Sequence, residues 1–100
     1  MPRIPIHPGS VLADELSEIG ISAAEAARIL SVPSNRLSQI ITGHRSITAD
    51  TALRLGQWLG TGPEFWMNLQ KTYELDVAKN RIGEAVAHIP PRAMAAPCYA

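Results

Sequence analysis

The sequence predicts an all-α domain of five helices followed by an irregular, Ala/Pro-rich tail. Three observations carry this prediction. Apolar residues recur at three- and four-residue spacing through most of the first 82 positions. Each such segment is bracketed by caps or breakers, among them Pro8, Gly20, Ser22, Pro33, Gly43, Thr48, Gly60 and Pro63. No stretch sustains the two-residue alternation of a half-buried strand.

The first helix spans about Gly9 to Ile19. Pro8 stands at its entrance, where a missing N–H is harmless, and Gly20 offers a stop. Leu12, Leu16 and Ile19 mark its inner face. The second spans Ala23 to Leu30. Ser22 followed by Glu25 has the spacing of a capping box, in which hydroxyl and carboxylate each take one free N–H. Ala23, Ala26, Ala27 and Leu30 give a narrow face that permits close approach of a neighbour. Pro33 separates this helix from a third, Ser34 to Thr42, with Leu37, Ile40 and Ile41 as its buried stripe.

The fourth helix, Ala49 to Leu59, is capped by Thr48 and turns Ala52, Leu55, Gly56 and Leu59 inward. After the Gly60-Thr61-Gly62-Pro63 break, Thr61 and Glu64 offer a second capping box. The fifth helix is the longest, Pro63 to Ile82. It carries one stripe at Trp66, Leu69, Tyr73 and Val77 and an offset one at Leu75, Ala78 and Ile82. The offset stripe needs a cover of its own, either another subunit or the folded-back tail. Leu75, Ala78 and Ile82 are the candidate dimer surface. The expected division is therefore a domain over 1–83 and a mobile tail over 84–100, where Pro90, Pro91 and Pro97 oppose helix.

The totals narrow the function. Hydrophobic residues make up 46%, enough for one modest core in 100 residues. No run has the length of a membrane span, and residues 1–5 lack a signal-peptide core, so the expected location is cytoplasmic. Cys98 is the sole cysteine and has no internal disulfide partner. His7, His44 and His88 lack metal-ligand spacing, no serine sits in a nucleophile motif, and no glycine-rich phosphate loop is present. Trp58, Phe65, Trp66 and Tyr73 read as core rather than as a ligand pocket. Neither catalysis nor a cofactor is expected.

Charge is more informative in its placement than in its sum. Nine basic and nine acidic residues cancel, which counts against a nucleic-acid partner. Yet no acid lies between Glu25 and Asp50, a window holding Arg28, Arg36, His44 and Arg45. The same window contains helix, short turn and helix, the helix-turn-helix pattern. Ala27 is small where the helices would cross, and Val32 and Leu37 can fill the angle. With the apolar stripe inward, Ser34, Asn35, Ser38 and Gln39 face outward, with Arg36 toward the flank. A major groove admits such a helix, and amides and hydroxyls can hydrogen-bond base edges there. Thr42, His44 and Arg45 in the following loop suit a phosphate grip, as do the N–H groups at the Ser22 end of the second helix. One departure is Ser31, at a turn position that often holds glycine.

Four stretches, "HPGSVLADEL", the helix-turn-helix, "TGHRSITADTALRLGQWLG" and "TGPEFWMNLQKTYELDVAK", together resemble the HigA-type antitoxins. These are Xre-like helix-turn-helix proteins of the phage-repressor-like (lambda repressor-like) fold, also labelled virulence-associated protein I. The resemblance covers residues 6–82, and its most specific part is Pro63 to Gln70. It implies a compact five-helix homodimer that binds double-stranded operator DNA, represses its own operon and neutralises a HigB-type mRNA endonuclease toxin. It maps DNA reading onto Ser34, Asn35, Arg36, Ser38 and Gln39, with His44 and Arg45 at the backbone. Two alternatives remain at this stage. One is a solitary regulator without a toxin; the other, motivated by the zero net charge, is a protein-interaction module that has lost DNA binding.

Overall fold

A computed structural model describes residues 3–92. Five helices follow in order: α1 (Pro8–Ile19), α2 (Ala23–Leu30), α3 (Ser34–Ile41), α4 (Ala49–Leu59) and α5 (Pro63–Ala87). No strand occurs among the described residues. Helices α2 and α3 pack on each other, α1 packs on α3 and α5, and α4 lies along α5.

Local chemistry sets most boundaries. His7 caps α1: its Nδ1 accepts the Gly9 N–H at 2.8 Å, and Pro8 occupies the first helical position. Ser22 Oγ accepts the Glu25 N–H at 3.1 Å, the forward half of a capping box. Ser31 closes α2 with φ 59° and ψ 45°, so serine takes the left-handed conformation that glycine would adopt without strain. Helix α5 starts differently from expectation. Gly62 is its cap, because the Thr61 hydroxyl is engaged elsewhere: it donates to the Gly62 carbonyl at 3.1 Å and accepts the Trp66 indole N–H at 2.9 Å.

Helix α5 also ends later than expected, at Ala87 rather than Ile82. Gly83 does not break it, since one glycine costs a helix only about 1 kcal/mol relative to alanine. Glu84 to Ala87 continue the helix, and the Pro90-Pro91 pair lies just beyond its end. Val86 and Ile89 stay exposed rather than docking. Pro97 and Cys98 lie outside the described residues.

The core gathers Leu12, Leu16, Ala26, Ala27, Leu30, Val32, Leu37, Ile40, Ile47, Ala52, Leu55 and Trp66. Full burial of each large apolar side chain contributes about 1.5–3 kcal/mol. Ile19 is exposed, because the last turn of α1 runs past the core, and Ile41 is only half-buried. Two glycines mark close backbone approaches. A Cβ on Gly9 would overlap the Ile40 carbonyl at the end of α3, and one on Gly56 would overlap the Gly62–Pro63 backbone entering α5.

Two buried polar groups lie on α5, where the apolar periodicity did not point. Gln70 Oε1 accepts the Ile47 N–H at 2.8 Å, and its Nε2 donates to Glu74 Oε2 at 2.8 Å. Asp76 is buried beneath an N-terminal arm, 3.4 Å from Arg3 Nε, and Asn80 Nδ2 donates to the Arg3 carbonyl at 3.1 Å. Among the described residues every buried side-chain nitrogen and oxygen is hydrogen-bonded.

Urea denaturation should register two of these backbone features in opposite directions. Gly9→Ala is expected to lower stability by about 1–3 kcal/mol, the typical cost of overpacking. Ser31→Gly is expected to raise it by up to about 1 kcal/mol, by relieving the left-handed strain. A native-like midpoint for Gly9→Ala would show that the α1–α3 approach is not tight.

Candidate nucleic-acid interface

The α2–turn–α3 unit buries Ala27, Leu30, Val32, Leu37 and Ile40. Helical geometry then leaves Ser34, Asn35 and Ser38 exposed on α3, with Arg36 and Gln39 half-buried at its flanks. Thr42, His44 and Arg45 are exposed in the loop that follows, and Ser22 is exposed at the start of α2. The nine sequence-derived positions thus lie on one continuous stretch of chain between Ser22 and Arg45.

Hydrogen bonds show how free each group is. Ser38 Oγ donates to the Ser34 carbonyl at 2.9 Å, and Ser22 Oγ is committed to its own helix cap. Thr42 Oγ1 lies 3.0 Å from the Ser38 carbonyl, 3.2 Å from the Gln39 carbonyl and 2.9 Å from His44 Nδ1, which binds the loop to the end of α3. Arg45 Nε donates to Gln39 Oε1 at 2.9 Å. Asn35 makes no side-chain hydrogen bond within the described residues.

Arg36 is tethered rather than free. Its Nη1 lies 3.1 Å from Asp50 Oδ1, which also takes Arg54 Nε at 2.8 Å. Arg54 Nη1 in turn donates to the Leu30 carbonyl at 2.9 Å, satisfying an end group of α2. This chain of contacts ties α2 and α3 to the start of α4. The Arg54 hydrogen bond, and then its charge and those of Arg36, hold the Asp50 carboxyl below its ordinary value. The first acid after the acid-free window is therefore ionised and paired with two cations.

Sequence reasoning missed the groups that position the loop. Gln70 fixes Ile47 from beneath. The His7 ring stacks edge-on against Tyr73, with centroids 4.8 Å apart, and lies beside Gly43 of the loop. His7 therefore joins α1, α5 and the loop. A histidine directly before Pro-Gly at a helix start was the available signal; nothing marked Gln70. Partial burial lowers the His7 pKa, opposed by the nearby Arg45 backbone.

The candidate dimer residues lie together on α5. Leu75 and Ile82 are 51% and 45% exposed, Ala78 between them is half-buried, and Val86 continues the stripe at 49%. No helix among the described residues is long and apolar enough to cross a membrane. Among the same residues no cluster of three potential metal ligands forms.

Five helices with a polar-faced second member of a helix-turn-helix define the class of helix-turn-helix DNA-binding regulators. The comparisons narrow it. An addiction module antidote protein of the HigA family from Coxiella burnetii superposes with a TM-score of 0.86 at 46% identity, over 89% of this chain and 99% of that one. The Pseudomonas aeruginosa antitoxin HigA, solved with the higBA promoter, gives 0.85 at 42% identity, over 90% and 100%. Virulence-associated protein I of Dichelobacter nodosus is 43% identical over 75 residues, 74% of this chain and 69% of that protein. No protein-family model matches the chain. The chain belongs to the HigA family of helix-turn-helix antitoxins.

The position of His7 sets a pH dependence. Its folded pKa lies below the ordinary value of about 6.5, so the unfolded chain binds the proton first. The stabilisation is complete above about pH 6.5 and is lost as pH falls toward the lower folded value. Asp50 acts with the same sign further down, below about pH 4. Urea midpoints measured from pH 8 to pH 5 are expected to fall for the native chain. They should stay flatter for His7→Asn, which keeps a capping acceptor and does not titrate. An equal slope for both would assign the pH dependence elsewhere.

Proposed function

We propose that the chain acts in the cytoplasm as a homodimeric autorepressor and antitoxin. Two copies insert α3 into successive major grooves of operator DNA, about 34 Å apart. The complex also neutralises a small toxin of the HigB mRNA-endonuclease type. Ser34, Asn35, Ser38 and Gln39 face base edges. Thr42, His44, Arg45 and the Ser22 end of α2 grip phosphates. Arg36 holds the reader helix to α4 through Asp50 and lies at the flank of the DNA.

The observation that carries this reading is the division of α3 into a buried apolar stripe and an exposed polar one, in a chain segment whose next acid, Asp50, is paired with two arginines. Its likeness to a P. aeruginosa protein, PA4674, solved with its operator DNA adds support, at 44% identity and a TM-score of 0.86 over 88% of this chain and 97% of that one. The exposed Leu75, Ile82 and Val86, with half-buried Ala78 between them on α5, supply the apolar surface that a dimer would cover.

Gel-shift titration against the DNA upstream of the gene and a scrambled duplex tests the first part. Asn35→Ala is expected to cost about 1–3 kcal/mol on the operator and little on scrambled DNA. Equal losses on both would remove Asn35 from the readers. Native binding should weaken steeply with salt, as phosphate contacts release counterions. For the dimer, Ile82→Glu is expected to give a monomer by light scattering; an unchanged mass would exclude this surface. Co-expression with the adjacent small reading frame tests the toxin. Failure to rescue growth would favour a regulator without a toxin; a Haemophilus influenzae relative, 34% identical over 91% of this chain, is named an HTH-type transcriptional regulator.

A further inference from the structure

Gln39 and Arg45 form a unit that neither residue type would suggest alone. Arg45 Nε donates to Gln39 Oε1 at 2.9 Å. Their proximity is built into the backbone: the His44 N–H donates to the Gln39 carbonyl at 2.8 Å, and the Gly43 N–H to the Ile40 carbonyl at 3.0 Å. The loop is thereby folded back on the last turn of α3. Gln70 accepts the Ile47 N–H from the core side, and the His7 ring lies beside Gly43. Arg45 forms no ion pair among the described residues, so no carboxylate competes for its guanidinium.

A free glutamine offers one acceptor and one donor prong, the pattern that pairs with adenine N6 and N7. Here the acceptor prong is engaged by a permanent cation. The amide is planar, so fixing its oxygen turns the NH2 group to the opposite side. A second lone pair remains on Oε1, but an adenine N6–H approaching it would meet the hydrogens and full charge of the guanidinium. Guanine presents only acceptors, N7 and O6, on its major-groove edge. The Gln39 NH2 and the remaining Arg45 N–H groups are all donors.

We propose that Arg45 is a specificity-determining residue that, by holding the Gln39 amide oxygen, makes the Gln39–Arg45 pair a donor-only reader of guanine. This rests on the DNA-binding reading above and adds which base the end of α3 selects. Arg45 thus acts through Gln39 as well as on the DNA.

The test is selection of bound sequences from duplexes with a fully randomised core, using the native chain, Arg45→Met and Gln39→Glu. The native chain should enrich one half-site with guanine at the position that responds to Gln39 substitution. Arg45→Met releases the amide and should shift that position from guanine toward adenine, with lower affinity overall because a cation is lost. Gln39→Glu keeps an acceptor for Arg45 but removes the NH2 donors. It should lower affinity for the guanine site about ten- to hundredfold, as loss of a paired base contact does. Circular dichroism confirms that each exposed-site variant is folded. Adenine selected by the native chain, or an unchanged preference in Arg45→Met, overturns the guanine assignment while leaving DNA binding intact. A pool that stays random with the native chain overturns both readings.

Discussion

The close approach of α1 to the end of α3 governs the rest of the molecule. Gly9 sits where any Cβ would collide with the Ile40 carbonyl, and His7 and Pro8 fix the entry of α1 at that point. Ile40 belongs to the core, and Gln39 beside it lies half-buried at the flank of the polar face. The orientation of the reader helix is therefore set by backbone contact rather than by side chains that could repack. His7 extends the same junction to Tyr73 and to Gly43 of the loop, while Gln70 fixes Ile47. The loop after α3 is consequently supported from two helices that never approach the polar face themselves.

Electrostatics follows from this placement. A chain with no net charge can still present a positive surface if its acids are elsewhere or neutralised. Asp14, Glu15 and Glu18 lie on α1, and Asp50, the acid nearest the reader helix in sequence after it, is paired with Arg36 and Arg54. The same pairing reduces the freedom of Arg36. One arginine is committed to architecture, while Arg45 in the loop after the helix forms no ion pair among the described residues and is held by Gln39.

Much of this was legible in the sequence, for reasons that can be named. The bounds of α2 and α4 follow from Ser22, Thr48 and Gly60, residues whose capping chemistry is local. The buried set of α3 follows from its periodicity. The errors arose where a residue had a distant partner. Thr61 carries the cap spacing but is taken by Trp66, five residues on. Gly83 is a breaker only when its surroundings are, and here good helix formers follow it. Gln70, Asp76 and His7 are polar residues whose partners lie 23, 73 and 66 positions away (Ile47, Arg3 and Tyr73), beyond the reach of any spacing rule. The tether of Arg36 to Asp50, 14 positions away, was hidden for the same reason.

The N-terminal arm illustrates what such distance means for assembly. Arg3 lies 73 residues before the buried carboxylate it covers and 77 before the amide that holds its carbonyl, both late in α5. Closing that seam requires almost the whole chain, and contacts of such long sequence separation form late because loop closure precedes any gain. The arm is thus a latch that shuts over a finished bundle, and trimming it, or weighing it down with a fused tag, would be felt at the far end of the molecule's longest helix.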